Sequence, residues 1–499
     1  MHDLLPYISY QLNTAISSVH YFMPEVYLSV LFLLVLITGL VYTRSAAAIC
    51  RVVSVVGMVC VILQDGIQYL LPVDEMRPMF GGMLLLHHTS VVFKLIIDFI
   101  SLLLLLYFAW DRQLKAHKKG LSDLYAIVIA SILGLHLMVM SINLLSIYLA
   151  IEFVSLASYL MVAYKAEQGI SAGAGLKYVL FGAASSAVML YGISLLYAFT
   201  GFTDLFAAQF VHNLSAVNPV SVSFALVLIF AGLGFKLSFV PMHFWVPDVY
   251  QGAATPVTAY LSTLPKIAAF AMLVNFVRPF IISGIWTSFD FRLFLSVVGL
   301  ITMVAGNFAA VMQKNIKRML AYSSIGHTGF ALMAVICFSP DGLKALLFYL
   351  AVYSVANIGA LMLASYFTNI TGAENVDDYK GLGFKLPTAS VCFVIILISL
   401  TGLPVTAGFI GKVLVFQSIY CRYQLDHQLL YLLLMGTGAL TTVVALFYYI
   451  KIPLYLFLRK TDNNHEYVVT SQSLLFAAVV ISFLLVFIGI FPDYLAKYL

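Results

Sequence analysis

The sequence predicts an all-α integral membrane protein of about 14 transmembrane helices, and three observations carry that reading. Of its 499 residues, 62% are hydrophobic and only 9% are charged. Apolar runs long enough to cross a bilayer, about 20 residues each, follow one another almost from end to end. The runs are continuous and rich in Leu, Ile and Phe, without the period-2 alternation of a membrane β-barrel.

Along the chain the spans read as 26–43, 48–70, 90–110, 122–141, 143–164, 172–199, 220–241, 257–278, 291–313, 318–338, 342–368, 387–420, 427–457 and 472–492. The first run starts near Pro24 without a small-residue cleavage site, so it reads as a retained span rather than a signal peptide. The longest connections are 71–89, 200–219 and 369–386, too short for a redox domain, so redox chemistry is expected on other chains. Basic residues concentrate in loops after odd-numbered spans. They are Arg44 and Arg51; Arg112, Lys115, Lys118 and Lys119; Lys314, Lys317 and Arg318; Lys380 and Lys385; Arg459 and Lys460. That asymmetry places both termini on the outer, periplasmic side of a cell membrane and supports an even number of spans.

Several functions are disfavoured. The net charge of +5 is scattered over short loops, which does not suit nucleic acid. Cys50, Cys60, Cys337, Cys392 and Cys421 form no CxxC pair, so neither an iron–sulfur nor a zinc site is expected, and they read as small core residues. Phosphate-binding Gly-rich motifs are missing, so no cofactor is expected on this chain.

Four ionisable residues sit deep in otherwise apolar spans: Glu152 in SIYLAIEFVSLASYLMV, Lys236 in LIFAGLGFKLSFVPMHFW, Lys266 in AYLSTLPKIAAFAMLV and Lys412 in LTGLPVTAGFIGKVLVF. A charge at mid-bilayer costs roughly 2.5–3.5 kcal/mol on insertion scales, so such residues face a bundle interior or a wet cavity and mark ion paths. Lys236 and Lys412 lie 176 residues apart, each in a span interrupted by Gly and Pro. If spans 4–8 correspond to spans 9–13, each unit has five helices, and an odd number inverts the second unit. Inverted repeats with broken helices at matching positions, here 7 and 12, place ion sites near the midplane. The expected layout is an N-terminal block 1–121, a first repeat 122–278, a second repeat 291–457 and a last helix within 472–499.

Proton transfer through such a bundle needs groups that change charge, and a buried lysine does so on small changes in its surroundings. Glu152 beside Lys236 would form an electrostatic latch; the competing reading is a static buried ion pair. Lys266, after Pro265 and about nine residues into its span, would relay between half-channels, its depth arguing against snorkelling. Lys412 would release protons. His327 lies in AYSSIGHTGF among Tyr322, Ser323, Ser324 and Thr328, and reads equally as a relay or a satisfied core group. Among weaker candidates, Lys94 and Asp98, four residues apart, are expected to pair locally. His136 reads as bonding a neighbouring helix, Asp248 as an anchor of the connection 243–256, and His87 and His88 as solvated.

The stretch GLGFKLSFVPMHFWVPDVYQGAATPVTAYLSTLPKIAAF resembles the span 7–8 signature of the antiporter-like subunits of respiratory complex I, specifically the subunit N family. QKNIKRMLAYSSIGHTGFALM, YLAVYSVANIGALMLAS and SLTGLPVTAGFIGKVLVF are similar to its later signatures, and the likeness covers about 120–455. VPDVYQGA sets it apart from the L and M paralogues, which carry a variant nearer LPDAH. The resemblance implies fourteen spans, inverted repeats and proton translocation, with Glu152, Lys236, Lys266 and Lys412 as the family's buried ionisable set. It also implies FMN, iron–sulfur clusters, NADH and quinone on other subunits, with neighbouring antiporter-like and small helical subunits as partners. The alternative is a subunit of a multisubunit sodium/proton antiporter without redox activity, and a third reading is a structural spacer. Four buried ionisable groups argue against a spacer, which apolar residues would stabilise better.

Overall fold

The computed structural model describes residues 5–42, 45–70, 76–115, 120–459 and 472–499. Arg44, Lys118, Lys119 and Lys460, used above for orientation, lie outside the described residues. In chain order the helices are α1 (Leu5–Val19), α2 (Met23–Val41), α3 (Ala46–Leu70), α4 (His88–Trp110), α5 (Arg112–Lys115), α6 (Ser122–Met140), α7 (Leu144–Val162), α8 (Gly169–Thr200), α9 (Ala208–Ser215) and α10 (Pro219–Leu237). They continue as α11 (Val246–Gly252), α12 (Thr255–Ile282), α13 (Phe291–Val311), α14 (Ile316–Ile336), α15 (Pro340–Thr371), α16 (Leu382–Lys385), α17 (Pro387–Thr401), α18 (Ala407–Asp426), α19 (Leu429–Pro453), α20 (Gln472–Ile490) and α21 (Asp493–Ala496).

Among the described residues, 13 helices are long and apolar enough to cross a membrane. The expected twelfth span, 387–420, is instead two helices, α17 and α18, separated by 402–406. Gly402 ends α17 in the left-handed region at φ +82°, and Pro404 follows. α12 runs unbroken through Pro265, because a proline inside a membrane helix is tolerated where neighbours re-satisfy the freed carbonyl.

The helices divide by burial. The apolar windows of α12, α14 and α15 are 94% enclosed, against 28% for α3 and α19, so polar side chains on the former three face protein. α2, α3, α4 and α6 pack together at the N-terminal side, and α12 joins them to the rest of the bundle. The connection expected at 71–89 contains a hairpin, β1 (Arg77–Met79) against β2 (Leu84–Leu86), pairing Arg77 with Leu86. Its apolar Leu84, Leu85 and Leu86 are buried, so this segment is packed rather than solvated. The 200–219 connection likewise folds its apolar Phe210, Val211 and Leu214 inward through α9.

Candidate functional site

α10 carries Lys236 in its last turn and ends at Leu237, with Ser238 in the left-handed region. The Lys236 side chain is 3% exposed, and its Nζ has no hydrogen-bond partner. Glu152 on α7 does not meet it directly; its carboxylate accepts a hydrogen bond from Ser186 Oγ on α8. Glu152 and Lys236 therefore form neither a static ion pair nor a latch in direct contact. Glu152 is only partly buried and shares its helix face with Leu149, Leu156 and Leu160, which are 56%, 59% and 58% exposed.

Lys266 lies mid-helix on α12. Its Nζ donates to Ser324 Oγ at 2.7 Å, to Ser324 O at 3.1 Å and to Thr328 Oγ1 at 3.0 Å, all on α14. Thr328 Oγ1 also lies 3.0 Å from the Leu237 carbonyl. That hydroxyl gives one of α10's last carbonyls, which lack a helical partner, a donor. A single threonine thus ties the Lys266 ammonium to the residue following Lys236.

His327, one residue before Thr328, turns to a different side of α14. Its Nδ1 lies 2.6 Å from Tyr349 Oη and its Nε2 3.4 Å from Tyr449 Oη. Tyr449 Oη is in turn hydrogen-bonded to Ser323 Oγ. Lys412, near the start of α18, donates to the Thr401 carbonyl at 2.8 Å and Thr442 Oγ1 at 3.0 Å, and stands 5.4 Å above the Phe330 ring. The Thr401 carbonyl is free to accept because α17 stops there.

Three water-sized cavities join these groups. One is lined by Lys266, His327, Thr328 and Tyr353. A second is lined by His327, Lys412, Asn307 and Thr442, and a third by His327, Tyr349, Ser399 and Lys412. His327 borders all three. Each is about the volume of a single water, and each carries an ionisable or hydroxyl-bearing side chain on its wall.

Other candidates fall on either side of expectation. Asp248 anchors α11 as expected, 2.5 Å from Lys177 and 2.6 Å from Arg318. The hydrogen bond from Lys177 is the main reason its carboxyl is held below the usual range, with Arg318 adding to the effect. His136 bonds neighbouring helices, as expected. Lys94 and Asp98 do not pair with each other. Lys94 turns to Glu25 and Asp65, and Asp98 to His136, because adjacent helices offer these groups at shorter reach. His88 is exposed, but His87 is partly buried and caps α4, its Nδ1 accepting from the Thr89 N–H at 3.2 Å. Tyr349, Tyr449, Asn307 and Thr442 were not singled out from the sequence, since hydroxyl and amide groups in apolar spans carry no signal of their own.

Residues 141–441 match the family described as NADH:quinone oxidoreductase/Mrp antiporter, transmembrane. The chain is 40% identical over 451 residues to NADH-quinone oxidoreductase subunit N 2 of Chloroherpeton thalassium, covering 89% of this chain and 86% of that one. It is 37% identical to the subunit N of Chlorobium chlorochromatii over 89% and 86% of the two chains. A chain in the structure of respiratory complex I from Thermus thermophilus with bound aureothin superposes with a TM-score of 0.77 at 28% identity, covering 95% of this chain and 98% of that one. A chain of the Mrp complex from Dietzia shares the fold at a TM-score of 0.78 and 18% identity, over 95% of each. Matched on its sequence signatures, on its relatives and on its helical architecture, the chain belongs to the NADH-quinone oxidoreductase subunit N family.

Proposed function

We propose that the chain is a non-redox, proton-translocating membrane-arm subunit of an NADH–quinone oxidoreductase, coupling quinone reduction elsewhere in the complex to proton transfer across the membrane. The observation that supports this reading is the run from Lys266 through His327 to Lys412, with three small cavities among these groups that His327 borders in common. Each group can exchange a proton, and each cavity is about the volume of one water. In this role Lys236 stores a proton, Lys266 connects, His327 relays and Lys412 releases. Glu152 modulates Lys236 from a distance, as a charge on a face left open to a neighbouring subunit.

The roles fit two units of five membrane spans each, within α6–α12 and α13–α19, related by inversion, with both chain termini on the outer side. FMN, iron–sulfur clusters and the NADH and quinone sites are assigned to partner subunits, with other antiporter-like and small helical subunits beside this one. Each proton moves against about 2.3 kcal/mol per 100 mV. Displacing one buried charge is worth a comparable amount. The sodium/proton antiporter reading shares the fold, and the subunit N relatives at 37–40% identity weigh against it.

The test is purification of the tagged chain from its native membranes. Co-purification of flavin and iron–sulfur subunits with quinone reductase activity is expected. A functional assembly lacking them would move the chain to the antiporters.

A further inference from the structure

A second set of ionisable groups lies outside this path, among α2, α3, α4 and α6. Glu25, Asp65, Lys94, Asp98 and His136 come from these four helices, and none has any exposed surface. Lys94 Nζ donates to Glu25 Oε1 at 2.8 Å and Gln68 Oε1 at 3.1 Å, and lies 2.7 Å from Asp65 Oδ1 without hydrogen-bond alignment. His136 places Nδ1 3.0 Å from Glu25 Oε1 and Nε2 2.9 Å from Asp98 Oδ1. With a carboxylate oxygen at both ring nitrogens, an imidazolium donating from both is the form that satisfies the two contacts.

The charge does not balance. Three carboxylates face one ammonium and one imidazolium, leaving one negative charge uncompensated. Glu25 Oε2, both Asp65 oxygens and Asp98 Oδ2 are buried without a hydrogen-bond partner. Carboxylate oxygens of Asp65 and Asp98 and a nitrogen of His136 lie within 4.8 Å of one another. Two such carboxylates do not both stay ionised in an apolar site.

We propose that this cluster is a proton-holding site, separate from the Lys266–Lys412 path, that carries one exchangeable proton on the Asp65 carboxyl. Asp65 is less supported as an anion than Glu25: its one close cation is the Lys94 ammonium at 2.7 Å, which it shares with Glu25, and its Oδ2 has no partner, whereas Glu25 Oε1 takes hydrogen bonds from both Lys94 and His136. A proton there neutralises the cluster and supplies a donor for the orphaned oxygens. A metal ion fits worse: both His136 nitrogens are already engaged, and the Lys94 ammonium stands against Asp65.

Among the described residues, the surrounding elements add no compensating charge. On α12, packed against α4 and α6, Lys266 is turned to α14 and Tyr260 is bonded to Ser131, while Arg278 lies near His87. Arg77 of the hairpin is bonded to Tyr21, α20 has no ionisable side chain, and α15 meets α4 where Tyr107 donates to the Leu361 carbonyl. A further buried hydroxyl without a partner, Ser101, lies one turn from Asp98 on α4.

The test is infrared difference spectroscopy of the purified complex in lipid nanodiscs, on exchange from H2O to D2O. It does not depend on pumping, so it stands or falls separately from the proposed function. Wild type is expected to show a carboxylic-acid carbonyl band that shifts on deuteration. Asp65→Asn is expected to lose it. Asp98→Asn removes the excess negative charge while Asp65 remains, and is also expected to lose it. If Asp65→Asn fails to assemble, Asp98→Asn makes the same comparison. Identical acid bands in wild type and an assembled variant would overturn the proposal.

Discussion

Gly402 is the position where the smallest change should reach the Lys412 end of the path. It ends α17 at φ +82°, and the Lys412 side chain passes directly over it. A Cβ at this residue would stand 2.7 Å from Lys412 Cδ and 3.1 Å from Cε. Carbon atoms pack at about 3.5–4.0 Å, so Gly402→Ala forces the stem aside by roughly 1 Å. The hydrogen bonds from Nζ to the Thr401 carbonyl and Thr442 Oγ1, now 2.8 and 3.0 Å, cannot both survive such a shift. Losing one bond to a charged donor costs about 1.5–3 kcal/mol. At about 1.36 kcal/mol per tenfold, charged Lys412 becomes roughly 10- to 150-fold harder to populate. Alanine in the left-handed region adds about 1–2 kcal/mol of strain. The assay is proton uptake by the reconstituted complex, followed with a pH-sensitive dye beside its quinone reductase rate. Pumping is expected to slow at least tenfold. Gly436→Ala, where a Cβ meets nothing within 4 Å, should behave as wild type. Undiminished pumping in an assembled Gly402→Ala complex would refute a role for the Lys412 geometry.

Three further outcomes follow from the same contacts. Thr328→Val removes an acceptor from Lys266 and the donor to the Leu237 carbonyl, costing about 1–3 kcal/mol; thermal unfolding and pumping should both suffer, and Thr328→Ser should recover both. Lys94→Met leaves the buried Glu25 carboxylate without its ammonium and should lower stability by about 3–5 kcal/mol, read as a lower unfolding temperature of the purified complex. Asp248→Asn should cost at most about 1 kcal/mol, because its two bridges are partly exposed. Because its carboxyl is held low in the folded chain, the contribution of Asp248 is fully present above the ordinary Asp value near about 3.9. It is lost as pH falls through the lowered folded value, which an acid unfolding series of wild type against Asp248→Asn would show.

Much of the path could be read from residue types alone, because a lysine in the middle of an apolar span has few innocent explanations. Lys236, Lys266 and Lys412 stood out for that reason, and each is enclosed in the fold. The hydroxyls that serve them did not stand out: Thr442 and Tyr449 matter only because α19 packs against α14 and α18. The N-terminal cluster was hidden for a different reason. Glu25 follows Pro24 at a helix start and Asp65 lies near a helix end, where acids ordinarily meet solvent or cap a helix. The i,i+4 spacing of Lys94 and Asp98 then suggested a local pair, but spacing along one helix says nothing of partners from three others. For Glu152 the residue type was the whole signal, and only the packing of α8 against α7 supplied Ser186 as its hydrogen-bond partner.

The central claim is that buried lysines of this chain carry protons while electrons move elsewhere. Lys236→Met in the reconstituted complex tests it most directly, since Lys236 Nζ makes no hydrogen bond whose loss would unsettle the fold. The expected result is an assembled complex in which protons pumped per electron fall, or quinone reduction slows together with pumping. Quinone reduction with undiminished protons per electron would contradict it.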